Sequence, residues 1–135
     1  LTFCYHDHGY EFHKYEDGTY LDYIIKNTDP EYVNFEMDVL WTMHGGGQAA
    51  PVQLLKKYPT RFKLMHVKDL KKGVVGNLTG GTPAENDVPV GTGQGDWKTI
   101  IKLAKKNGIK HMFIEDESEH ELEYVPMSIN YLKSL

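Results

Sequence analysis

The stretch YVNFEMD, Tyr32 to Asp38, sets Val33, Phe35 and Met37 against Asn34, Glu36 and Asp38. A two-residue period gives an extended chain one apolar and one polar face, so this segment reads as a strand. Working outward, three more segments have strand character: the apolar and aromatic run Leu1 to Tyr5, RFKLMHVKD from Arg61, and IKHMFIED from Ile109. Helical patterns lie between them. YLDYIIKN places Tyr20, Tyr23 and Ile24 at helical spacing, with Asp17 or Thr19 to cap it and Asp29-Pro30 to end it. GGGQAAPVQLLKKY is a glycine-rich entry into a helix from about Gln48 to Tyr58, stopped by Pro59. Asp96 caps WKTIIKLAKKN, whose Ile100, Ile101 and Ala104 form an apolar stripe ending at Gly108. ELEYVPMSINYLKSL closes the chain as a helix, with Pro126 expected in its first turn and Val125, Ile129 and Leu132 on one face.

The order is βαβαβαβα, and parallel strands covered by helices follow from it, because each parallel crossover needs a dozen or more residues. No linker or repeat divides residues 1–135, which read as a single domain. The glycine-rich segment Leu70 to Gly95 reads as a functional loop between a strand and a helix.

Bulk properties narrow the class. With 135 residues, 40% of them apolar, the chain can build a core. A net charge of −4 and a pI near 6.0 speak against a nucleic-acid partner. The lone Cys4 cannot form an internal disulfide, and no run approaches the roughly 20 apolar residues of a membrane span, so a cytoplasmic protein without a membrane partner is expected.

The polar residues fall in a pattern. The first strand ends at His6 and His8, the second at Asp38, the third at His66 and Lys68, and the fourth at Glu115. Ligands bind at the carboxyl ends of parallel strands, where such residues can converge. A mixed imidazole and carboxylate set suits Mn²⁺, Zn²⁺ or Co²⁺ better than Ca²⁺. Plainer roles compete with this. One strand-end histidine is more often just hydrogen-bonded, Asp38 and Asp116 could be helix caps, and a lone Lys68 would be solvated. The acidic run Glu115 to Glu123 reads mostly as solvated surface, and the direction of Glu36 is open. What favours a shared site is that all four strand ends carry such groups. Trp41 could wall a sugar pocket or anchor the core, whereas Trp97, at a helix start, reads as structural.

CYHDHGYEF, NFEMDVLW, RFKLMHVKD, VPVGTGQGDW and HMFIED resemble, in order and spacing, the second half of the xylose-isomerase-like TIM barrels, and within them the sugar phosphate isomerases/epimerases. The resemblance implies a (β/α)8 architecture of which this chain supplies a (βα)4 segment, the last four strands, with the N-terminal half absent; a whole barrel takes about 250 residues. It also implies one divalent metal (Mn²⁺, Zn²⁺, Co²⁺ or Mg²⁺) held by Asp38, His66 and Glu115. His6 stands where relatives commonly carry a glutamate. The implied proton carriers are Glu115 and, in place of a second glutamate, His6 or His8. Lys68 matches the lysine near the substrate, and the glycines of VGTGQGDW are either close to substrate or simply a turn. Gly9 is expected to turn the backbone out of the barrel, with Glu11 as a loop or rim residue. A lone half-barrel exposes strand edges, which favours self-association.

The expected function is therefore metal-dependent isomerisation or epimerisation of a small sugar or sugar phosphate, by proton transfer next to a carbonyl. The alternative is a non-catalytic, carbohydrate-binding half-barrel. Phosphodiester hydrolysis, known in the endonuclease IV group on the same barrel, is disfavoured by the acidic charge.

Overall fold

A computed structural model describes residues 2–135. Leu1, the first residue of the expected opening strand, lies outside the described residues. Four strands form one parallel sheet: β1 (Phe3–His6), β2 (Val33–Asp38), β3 (Phe62–Val67) and β4 (His111–Ile114), paired in chain order. With its helices this is an α/β half-barrel. The helices are α1 (Tyr20–Lys26), α2 (Val39–Gly46), α3 (Ala50–Lys57), α4 (Trp97–Lys106) and α5 (Glu121–Lys133).

One sheet face is dry. Phe35, Met37, Met65 and Val67 are buried there under the helices with Leu21, Ile25, Leu55 and Ile100. Cys4, Asn34, Leu64 and His111 line a cavity of about 490 Å³ on the other face. A shift in the β2–β3 register sets this division. Phe35 pairs with Phe62, but Glu36 pairs with Leu64, so Lys63 is the extra residue of a bulge. Phe62 therefore packs against Phe35, while Leu64 and His66, of the same parity, turn to the other face. Beyond the bulge Asp38 and His66 stand directly opposite each other.

Several expectations need correction. In α1 the core-facing residues are Leu21 and Ile25, and Tyr20 and Tyr23 are exposed; Thr19, not Asp17, caps the helix, in a reciprocal capping box with Asp22. Between β2 and the glycine-rich entry lies a helix that was not expected, α2, in which Val39 through His44 are all buried. A helix buried on every side has no amphipathic period to betray it. α3 begins at Ala50, two residues later than expected, with Pro51 in its first turn.

The segment 70–95 is not structureless, since Asp69–Leu70 pairs antiparallel with Asp87–Val88. In α5, Pro126 is the sixth residue rather than part of the first turn, and the buried residue is Ser128, with Ile129 left exposed. α4 is as expected: Asp96 accepts from Thr99 N, Ile100, Ile101 and Ala104 are buried, and Gly108 takes a positive φ just past the end. Gly9 also has a positive φ, of 94°, and a Cβ on Gly45 would lie 2.1 Å from its carbonyl oxygen, so α2 packs directly on this turn.

Candidate metal centre

Three strand ends converge. His6, Asp38 and His66 each offer a ligand atom, and these atoms lie within 4.8 Å of one another. Asp38 Oδ2 is 3.5 Å from His6 Nε2 and 3.5 Å from His66 Nδ1. All three atoms are buried and lack a hydrogen-bond partner. Buried polar atoms are normally satisfied, and leaving one unpaired costs about 1–3 kcal/mol. Three of them aimed at one point are the expected signature of a cation position, so the residues fit the implied ion. Glu115 stands at the rim, 38% exposed, with Oε2 3.0 Å from His66 Nδ1. The fourth expected ligand is thus adjacent to the cluster rather than within it.

Local sequence explains the aim of each group. Asp38 does two jobs: Oδ1 accepts from Trp41 N at 3.0 Å and caps α2, which leaves Oδ2 for the histidines. The helix-cap reading of this strand-terminal aspartate holds, and its second oxygen is left facing the histidines. Asp7, fully buried, accepts from Asp38 N at 3.0 Å and from Thr42 Oγ1 at 2.6 Å, tying the end of β1 to β2 and α2. Burial pushes the Asp7 carboxyl up to about 7. Glu36, whose direction the sequence left open, faces the site with Oε1 3.3 Å from His66 Nε2. That is the position of a carboxylate that orients a metal-binding imidazole through its second nitrogen.

Charge follows from the same contacts. Asp38 raises His66 to about 9 against the opposing effect of burial, with help from Glu115 and Glu36. It also raises His6. Burial works to raise Asp38 itself, but His6, His66, Trp41 N and Lys68 together hold it below the usual carboxylate range.

Beside the cluster, Lys68 is 1% exposed and caged by carboxylates: Glu117, Glu115 at 3.4 Å and Asp87 at 3.7 Å. Burial works against its charge, but Glu117, Asp38, Asp87 and Glu115 outweigh that and raise it. Lys68 is therefore an ammonium donor and not a base. Burial also pushes Asp87 up to about 7.

Lys68 borders a cavity of about 260 Å³ shared with His8, Trp41, Thr82, Pro83 and Glu117. His8 is not in the metal cluster. Its ring stacks on Trp41 at 4.2 Å and lies 6.1 Å from that of His6, and its Nδ1 is buried without a partner. Trp41 is 6% exposed in the core and also lines this cavity. Glu11 is more than a rim residue: it is buried and accepts from Tyr5 Oη and His8 N, fixing the loop that carries His8.

The glycines of VGTGQGDW have a definite partner. Gly91 N and Gly93 N donate to Asp69 Oδ2, Gly95 N donates to Oδ1, and Trp97 Nε1 also reaches Oδ2. A Cβ on Gly93 would fall 2.4 Å from Asp69 Oδ1. The loop closes on a buried aspartate, and Trp97 is structural as expected.

No protein-family model and no curated protein matches the chain. Solved structures do match, among them two from Parabacteroides distasonis, both described as sugar phosphate isomerase/epimerase. One is 31% identical over 98% of this chain, with a TM-score of 0.71; the other is 30% identical over the whole chain, with a TM-score of 0.74. The chain spans only 45% and 48% of their lengths. Its structural neighbours are therefore the proteins that its motifs resemble, matched by about half of each.

Proposed function

From the premise that this half-barrel has sugar phosphate isomerases/epimerases as its structural neighbours, we propose that it carries the metal-binding and proton-transfer face of an isomerase or epimerase acting on a small sugar. The observation that carries the reading is the convergence of His6 Nε2, Asp38 Oδ2 and His66 Nδ1, buried and unpartnered, beside Glu115. These three residues would hold a divalent ion, with Glu115 at the rim beside them. Mixed nitrogen and oxygen donors suit Mn²⁺, Co²⁺ or Zn²⁺. When bound, the ion supplies Lewis-acid polarisation of a substrate carbonyl.

The chain's own groups do the rest. Glu115, exposed enough to meet substrate, takes the proton from the carbon next to the carbonyl as a carboxylate and returns it as a carboxylic acid. Lys68 keeps its ammonium 3.4 Å from Glu115 Oε2 and fixes that carboxylate at the edge of the site. His8 serves as the second proton carrier from the cavity wall, and Trp41 excludes water behind it.

The test is wash-in of deuterium from D2O at the carbon next to a ketohexose carbonyl, followed by NMR with the Mn²⁺-loaded chain. Wild type is expected to exchange that position and Glu115→Gln to lose exchange by about 100-fold or more. Sugar binding without exchange in wild type would sink the catalytic reading.

A further inference from the structure

The charge of the walls says which sugars fit, an inference resting on the function proposed above. In eight-stranded barrels a phosphate is frequently seated by the loops after the last two strands and the N-terminus of a helix nearby. By its motifs this chain supplies those loops: residues 69–96 after β3 and 115–120 after β4.

Lys71 and Lys72 of the first loop are exposed to solvent, and among the described residues neither loop offers a phosphate a buried, unshared positive charge. The buried cation beside the site, Lys68, is already shared among Glu115, Glu117 and Asp87. A second cavity, of about 280 Å³, opens between the two loops. There Lys71 and His120 face Glu85, Asp87 and Glu119, so acids outnumber the bases. The N-terminus of α5, which could otherwise attract an anion, carries Glu121 and Glu123 in its first turn.

Hydrogen-bond chemistry points the same way. Ionised carboxylates only accept, as does a phosphate dianion, whereas a sugar hydroxyl can donate to them. The His8 and Trp41 rings, stacked at 4.2 Å, add a flat apolar wall of the kind that meets the C–H face of a sugar. We infer that the substrate is an uncharged polyhydroxy carbonyl compound, and that the end reaching the β3 and β4 loops carries hydroxyl groups and no phosphate ester.

Calorimetric titration of the Mn²⁺-loaded whole chain tests this, with the four D-ketohexoses and their 6-phosphates as probes. At least one free sugar is expected to bind, with its 6-phosphate weaker by about threefold or more, as like-charge walls require. Glu85→Gln combined with Glu119→Gln is expected to narrow the gap between a free sugar and its 6-phosphate, and an unchanged gap would count against the charge of these walls as its cause. A 6-phosphate that binds as well as its free sugar, or better, would overturn the inference and leave the proposed function standing. Binding by neither class would overturn both.

Discussion

Removing His66 should disconnect the chain's stability from divalent ions. Three buried atoms converge without partners, His6 Nε2, Asp38 Oδ2 and His66 Nδ1, and each unsatisfied group costs roughly 1–3 kcal/mol. An ion that binds only the folded state relieves that cost and stabilises by RT ln(1 + [M]/Kd), about 2.7 kcal/mol when free metal is 100 times Kd. For a chain of 135 residues, 1 kcal/mol corresponds to about 3–4 °C in Tm, so the expected rise is about 8–11 °C. The assay is thermal unfolding by circular dichroism after chelator treatment, repeated with Mn²⁺, Co²⁺ or Zn²⁺. His66→Ala should reduce the rise to below about 3 °C. The control is His111→Ala, an exposed histidine on the same face beside Leu64, which should keep the full rise. Provided the His66→Ala protein still melts cooperatively without metal, an undiminished rise in it would refute the reasoning. So would a wild-type chain indifferent to all three ions.

Asp69→Ala strips the acceptor from three glycine N–H groups and the Trp97 indole; Gly93 N and Trp97 Nε1 sit in buried hydrogen bonds, so a loss of about 3–5 kcal/mol is expected. Urea unfolding reads it, and a loss below about 1 kcal/mol would contradict the role of Asp69 as the loop's closing point. Asp22 sets a pH dependence: burial acts to raise it, but Lys57, Tyr58 and Thr19 N hold it below its ordinary value. A carboxylate lowered in the folded state adds stability above its unfolded pKa and loses it as pH falls through the folded one. Asp22→Asn should therefore be destabilising at neutral pH and converge with wild type in acid, and a gap that stays constant on acidification would count against this.

The parts legible in the sequence were those where one residue type had one local job. Alternation along β2 showed the strand, Asp96 and Gly108 bounded α4, and the strand-end residues His6, Asp38 and His66 do meet. The parts that escaped depend on contacts remote in sequence. The carboxylate of Asp69 is satisfied by residues 22 to 28 positions later, so nothing near it announces the glycine loop as its partner. The β3 bulge flips Phe62 away from Leu64 and His66, which defeats any reading by strict alternation. Its one trace was the irregular order Phe62, Leu64, Met65 within the strand. Glu36 and Asp7 could not be assigned because the groups they serve, His66 and Thr42, lie 30 and 35 residues away.

The His6, Asp38 and His66 cluster and the core share a structural origin at Asp38, which explains how flexible side chains are held at one point. On β2, Phe35 and Met37 anchor one face in the core, so Asp38 cannot shift register without exposing both. Its Oδ1 is spent on Trp41 N at the start of α2, and its own N–H on Asp7. With both ends fixed, the remaining oxygen has little freedom, and the strand pairing sets His66 directly opposite. Moving Asp38 Oδ2 away from the histidines would require unwinding the first turn of a helix whose residues Val39 to His44 are buried. The fold therefore holds the unpaired atoms in place, and the proposed ion would satisfy them without that unwinding.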